Sequence, residues 1–313
     1  MSFSFSGFEA ALKAGARISA DDVLTLRREI WPDGAVSEDE ASALFALNRA
    51  AQDAGPEWTD FFVEAMTEYA VNQRAPRGYV DEDAAKWLIA QIEQDGAAAR
   101  ATDLALVVKL LESALNCPES LKSWALGRIE AAVLTGEGPT RDGPARPNVV
   151  DEAEVALLRR ILFAAGGEGA CSVGAEEAEL LWRLKDACLE SDNAPGWKTL
   201  FVQGVGNHLM AYSDYRPLAR DEAARLEAFV GDHESSVLGF FARMGRAGPV
   251  EGARDLLHPD REPSAAEHDA AVRASAAVTG SEQAWLDAHV DADHKHDPYE
   301  EALLAFIAAE DGR

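Results

Sequence analysis

The apolar and aromatic residues of the first half of the chain return in the same order in the second half. That repetition constrains the fold more than any motif does. Val23 with Leu26 to Trp31 (LRREIW) corresponds to Val155 with Leu158 to Phe163 (LRRILF). VSEDEASALFAL from Val36 then corresponds to VGAEEAELLWRL from Val173. Pro56 and Trp58 match Pro195 and Trp197, Phe62-Val63 matches Phe201-Val202, and Asp83 to Lys86 matches Glu222 to Arg225. A duplicated helical bundle has to keep the positions that face its core, while its solvent face is free to drift. On that reading Trp58, Trp197, Trp31 and Phe163 are core anchors rather than ligand-stacking groups.

Helical periodicity runs through the chain and no alternating strand pattern interrupts it. Ser19 with Asp22, Ser37 with Glu40 and Ser264 with Glu267 have the spacing of a capped helix start. Helices are expected near 6–15, 20–31, 38–53, 57–73, 82–94, 101–116 and 119–134 in the first half. A Gly/Pro-rich stretch, GEGPTRDGPARPN at 136–148, reads as a linker. Helices then follow near 151–164, 175–190, 197–211, 220–232, 235–245, 265–278, 281–289 and 298–309. The expected fold is all-α, built as tandem duplicated helical bundles. Residues 1–135 form a first repeat domain, 149–246 a second, and 247–313 a C-terminal helical segment with a partial third repeat.

Charge narrows the function. Lys and Arg number 29 against 55 Asp and Glu, a formal net charge of -26 over 313 residues. Such a surface repels phosphate backbones and anionic headgroups, so nucleic acid and direct lipid binding are not expected. It suits divalent cations and a protein partner with a basic surface. The N-terminus lacks the basic start and apolar run of a secretory signal, and no window has the length of a membrane span. Cys117, Cys171 and Cys188 show no C-x-x-C spacing and read as reduced thiols, which places the protein in the cytoplasm.

The turn before the second helix of each half carries the local chemistry. In the first half it reads EIWPDGAVSEDE, Glu29 to Glu40. An EF-hand loop needs oxygen ligands at positions 1, 3, 5, 9 and 12 with Gly at 6. Asp33, Gly34, Ser37 and Glu40 fill positions 5, 6, 9 and 12, whereas Trp31 at position 3 cannot ligate. Near the C-terminus HVDADHKHDPYE, His289 to Glu300, puts Asp291, Asp293, Asp297 and Glu300 at positions 3, 5, 9 and 12. His289, His294 and His296 lie among them, and imidazole with carboxylate suits zinc, nickel or manganese better than calcium. The second-half turn, GGEGACSVGAEE, keeps Val173 and Glu177 but few other ligands.

The D-G-x-V-S-x-x-E stretch at Asp33 to Glu40, entering an Ala/Leu-rich helix, resembles the tellurite-resistance TerB-like helical domains. That resemblance implies a small helical bundle, a link to stress responses, and acidic clusters that hold a divalent cation. It points to Asp33, Ser37 and Glu40 in the first turn and to Asp293, Asp297 and Glu300 in the last. The residues also have a metal-free reading. Asp-Gly is a turn signal and S-x-x-E a capping box, so the first turn needs no cation (calcium, magnesium, manganese or zinc) to form.

Enzyme motifs do not survive inspection. The chain has no G-x-S-x-G elbow, P-loop or H-E-x-x-H. Gly204-Val205-Gly206 lies inside a helical run with no strand before it, where small residues favour close helix packing. The expectation is a non-enzymatic acidic interaction module tuned by a cation, the alternative being a divalent-metal buffer or sensor, and a third reading an enzyme with an unrecognised site between the two halves.

Overall fold

The computed structural model describes residues 8–10, 12, 17–30, 35–51, 55–141, 143–164, 166, 172–210, 280–290 and 296–311. These residues are helical, and their one β-type contact is an isolated bridge between Tyr79 and Asn116. The first half holds α1 (Ala20–Ile30), α2 (Glu38–Ala50), α3 (Pro56–Thr67), α4 (Glu82–Ile92), α5 (Ala101–Ser113) and α6 (Glu119–Thr135). The second holds α7 (Glu152–Leu162), α8 (Ala175–Ala187), α9 (Gly196–Met210), α10 (Gly280–Val290) and α11 (Pro298–Asp311). Among the described residues no helix is long and apolar enough to cross a membrane. The helices expected at 220–232, 235–245 and 265–278, and the second member of the Asp83–Lys86 match, lie outside the described residues.

Several helices start where a side chain takes an orphan backbone N–H. Ser19 and Asp22 cap α1 reciprocally, at 2.9 and 3.2 Å. Asp151 and Glu154 do the same for α7, at 3.1 and 3.0 Å. Behind these caps the buried residues recur with helical period: Val23, Leu26 and Ile30 in α1, Val155, Leu158 and Ile161 in α7. The helix expected over 57–73 is α-helical to Thr67, then widens into a π-turn, Glu68–Asn72, closed by Gln73 N–H on Glu68 O at 3.1 Å.

The two halves pack alike. In the first, α3 lies against α1, α2 and α5; in the second, α9 lies against α7, α8 and α11. Arg27 of α1 forks onto Glu64 of α3 at 3.1 and 2.5 Å, and Arg159 of α7 reaches Gln203 of α9 at 2.8 Å. Trp58 and Trp197, at the starts of α3 and α9, are both fully enclosed. Gly204 and Gly206 serve close packing: a Cβ there would meet Leu181 of α8 at 2.4 Å and Phe306 of α11 at 2.6 Å. Thus α11 packs against α9 of the second half.

The halves meet through α5 and α6 against α7 and through α6 against α8. The Gly/Pro-rich stretch between them is docked. Gly136 ends α6 at φ +75°, where a Cβ would lie 2.5 Å from the Arg146 backbone. Arg141 then turns inward, bonding Asp151 at 3.1 Å and the fully buried Glu154 at 2.6 Å.

Candidate functional site

The first turn is a capping box. Ser37 N–H and Oγ–H donate to Glu40 Oε2 at 2.8 and 2.7 Å, and Glu40 N–H donates to Ser37 Oγ at 3.3 Å. Val36 packs into the core, and its N–H donates to Gln73 Oε1 at 2.9 Å. Ser37 and Glu40 therefore share one hydrogen-bonded unit. Asp33, the other residue expected there, lies outside the described residues.

The last turn is more heavily charged. Asp297 is the N-terminal cap of α11 and Glu300 its third residue. Asp297 Oδ1 accepts from Tyr299 N–H at 2.7 Å and Glu300 N–H at 3.0 Å, while Glu300 Oε2 accepts from Asp297 N–H at 3.1 Å. Each carboxylate keeps a second oxygen free of the cap, and both second oxygens meet Lys185 Nζ, at 2.7 and 2.6 Å. Asp186 Oδ1 joins them at 2.7 Å. Against the burial that would lower it, these bonds hold the Lys185 ammonium above its ordinary value. Against the burial that would raise it, Lys185 and the cap N–H groups hold Asp297 below the usual carboxylate range.

His289 stands apart from that cluster. Its Nδ1 is 2.8 Å from Trp285 O, its Nε2 is 3.2 Å from Glu179 Oε1, and its ring lies 4.1 Å from that of Trp285. Trp285 Nε1–H donates to the same Glu179 carboxylate at 2.6 Å. His296 is exposed. Asp291, Asp293 and His294 lie outside the described residues, so of the last turn's expected ligands only Asp297 and Glu300 are seen together.

The first half has a polar counterpart of the lysine cluster. Asn48, aligned with Lys185, donates from Nδ2 to Asp103 Oδ1 at 2.7 Å and accepts from Trp58 Nε1–H at 2.9 Å. Asp103 is the third residue of α5, as Glu300 is of α11. Burial raises Asp103, which has a neutral amide where Glu300 has an ammonium. Trp197 Nε1 finds no acceptor among the described residues, and a lysine at the aligned position offers donors only.

Sequence reasoning missed a concentration of surface charge between two helices. Between α6 and α8 runs a cleft of about 350 Å³ with Glu119 and Glu130 on one wall and Glu176 and Glu179 on the other. Leu126, Gly127 and Leu180 form its floor, and Arg183 bridges to Glu130 at 2.9 Å. Below the rim the buried Lys122 of α6 pairs with the buried Glu177 of α8. Gly127 is unusual in the middle of a helix, because nothing lies within 4 Å of where its Cβ would be. Helical spacing alone sets these glutamates on faces of α6 and α8, but only the packing of the two helices brings the faces together.

Neither thiol in view is poised for chemistry. Burial pushes Cys117 up to about 12 and Cys188 up to about 11. No family model, no curated protein and no solved structure matches the chain.

Proposed function

We propose that the chain is a non-enzymatic acidic interaction module that docks a basic, amphipathic protein segment along the α6/α8 cleft. The observation that carries this reading is the cleft itself: a glutamate-walled channel whose floor is apolar and, at Gly127, bare. A mid-helix glycine costs about 0.5–1 kcal/mol relative to alanine. No internal neighbour of Gly127 requires that cost, and a partner backbone approaching closely would. Charge complementarity then selects lysine and arginine on the partner's flanks. Buried thiols at Cys117 and Cys188 suit a cytoplasmic setting.

The parallel pairs Arg27–Glu64 and Arg159–Gln203, with the matched helix contacts, support reading the halves as duplicated bundles. The TerB-like resemblance and a stress role rest on the first turn's motif alone. A cation-binding role is the second reading, favoured by the carboxylates gathered at the last turn. The docking reading is tested by capture from cell extract at low and high salt, using the wild type and a Glu119→Lys/Glu176→Lys variant, both positions being exposed. A basic partner held by the wild type, released by salt and lost to the variant is expected. Absence of any salt-sensitive partner, or equal capture by the variant, overturns it.

A further inference from the structure

A cavity of about 460 Å³ lies at the seam of the two halves, walled by α3, the π-turn that follows it, α5 and Arg160 of α7. Thr67, the last residue of α3, lines it. Thr67 is 9% exposed, and its hydroxyl oxygen is enclosed with no hydrogen-bond partner among the described residues. An enclosed hydroxyl without a partner is destabilising, so its presence here points to a partner that the chain does not itself supply. The charged groups around it are unequally committed. Glu64 is forked by Arg27, Glu68 accepts from Asn72 Nδ2–H at 2.7 Å, and Arg160 forks onto Glu112 at 2.7 and 2.9 Å. Asp60 and Lys109, both exposed, make no ion pair or hydrogen bond among the described residues. We propose that this cavity binds a small zwitterion, a free α-amino acid or a dipeptide. Its ammonium meets Asp60, and its carboxylate meets Lys109 and the Thr67 hydroxyl.

The second half supplies a comparison. Gly206 stands as far beyond Trp197 as Thr67 does beyond Trp58, and Phe306 holds the place in α11 that Lys109 holds in α5. A Cβ on Gly206 would meet the Phe306 ring at 2.6 Å, so this face of α9 is directed at that place. The same relation directs Thr67 toward Lys109, and both line the one cavity. A cavity of about 550 Å³ lies beside Gly206 and Phe306 as well, where Gln203 and Asn207 replace Glu64 and Glu68. It has no carboxylate, its arginine is bonded to Gln203, and no buried side-chain polar atom of its lining lacks a partner. Of the two grooves, only the first offers an uncommitted pair of opposite charges and an unsatisfied hydroxyl. The signs then decide the class of ligand. A bare anion such as phosphate would meet the carboxylates of Asp60, Glu64 and Glu68, and a diamine would set a second ammonium against Lys109. A zwitterion satisfies both open charges at once, and the volume falls within the range of small-molecule sites, about 300–1,000 Å³. The site is separate from the α6/α8 cleft and does not depend on the docking reading.

Thermal melting of the full chain with millimolar glycylglycine and with each common free L-amino acid tests the proposal, and calorimetric titration measures the affinity of any probe that acts. At least one probe should raise the melting temperature, by about 5–10 °C when it is about 100-fold above its Kd. Its N-acetyl and carboxamide derivatives, each lacking one charge, should bind at least about tenfold more weakly. Asp60→Asn and Lys109→Gln, at exposed positions, should each weaken the free zwitterion to a similar degree. Thr67→Val keeps the side-chain shape and removes the hydroxyl. It should weaken binding about threefold to tenfold, yet melt no lower than the wild type without ligand. The proposal is overturned if no probe shifts the wild-type melt, if the blocked derivatives bind as tightly as the free zwitterion, or if either charge variant binds like the wild type. Tighter binding of 1,4-diaminobutane or inorganic phosphate overturns it too. So does a Thr67→Val chain that melts lower without ligand, since the hydroxyl would then already be satisfied within the protein.

Discussion

Asn48→Ala removes both ends of a buried relay in one substitution. Asn48, Trp58 and Asp103 are 0, 1 and 2% exposed, and the amide links the other two side chains at 2.9 and 2.7 Å. Alanine leaves an indole N–H and a carboxylate oxygen unpaired where water does not reach. A buried group without its partner costs about 1–3 kcal/mol, with charged groups at the upper end, so the sum is about 3–5 kcal/mol. The charge is not wholly abandoned, because Asp103 Oδ2 still accepts from Arg100 N–H at 2.9 Å. The pH dependence separates this account from simple loss of packing. Burial already holds the Asp103 carboxyl above its usual value, and losing a donor raises it further. A carboxyl raised on folding contributes stability below its unfolded pKa and loses it as the pH rises through the folded one. The penalty should therefore be greatest near pH 7 and shrink toward about pH 4, where the protonated group no longer needs the amide. Urea unfolding followed by far-UV circular dichroism at both pH values measures it. A loss below about 1 kcal/mol at neutral pH, or one unchanged in acid, refutes the relay.

Three further perturbations have signs set by the same contacts. Lys122→Met strands the buried Glu177 charge and should cost about 3–5 kcal/mol, with most of the loss recovered in Lys122→Met/Glu177→Gln; a double variant no more stable than the single one contradicts this. Asp297 is held below the usual carboxylate range, so its contribution is present above about pH 4 and is lost as the pH falls through the lowered value. Asp297→Asn should accordingly melt lower at neutral pH and show a flatter acid limb than the wild type, and superimposable acid limbs would exclude the assignment. Gly127→Ala should raise stability by about 0.5–1 kcal/mol in chemical denaturation, because the added methyl meets open space; a decrease would show that the position is packed after all.

Which of these features the sequence exposes depends on how local their causes are. Helix starts follow from residues three apart, so the caps at Ser19 and Ser37 could be read directly. So could the burial of Trp58 and Trp197. The π-turn after Thr67 could not, because it arises from a shift in backbone pairing that no residue pattern marks. The spacing of the last turn singled out Asp297 and Glu300, yet their cation comes from Lys185, more than a hundred residues earlier. A lysine at an apolar-periodic position reads as a solvated face until α11 packs across it. His289 reads as a ligand from its neighbours, whereas tertiary packing commits its ring nitrogens to Trp285 O and Glu179. The glutamates of α6 and α8 look like ordinary solvent-facing charge in isolation. Their density is a property of two helices from different halves lying side by side.

One aligned position accounts for several contrasts between the halves. An amide at residue 48 both donates and accepts, so it satisfies a carboxylate and an indole together. An ammonium at residue 185 only donates, so it can gather three carboxylates but gives nothing to an indole, and Trp197 Nε1 is left without an acceptor among the described residues. The acids facing them shift in opposite directions: burial raises Asp103 against the pull of Arg100 and Asn48, whereas Asp297, which burial would also raise, is lowered by Lys185 and the cap N–H groups. Acid should therefore relieve the first half's buried carboxylate while it weakens the second half's cluster. Exchanging residues 48 and 185 would not restore either half, since a lysine would meet a single carboxylate in the first and an amide would face three in the second. Residue 48 gathers one carboxylate and an indole, residue 185 gathers three carboxylates, and the charge held at each place follows from that difference in donors and acceptors.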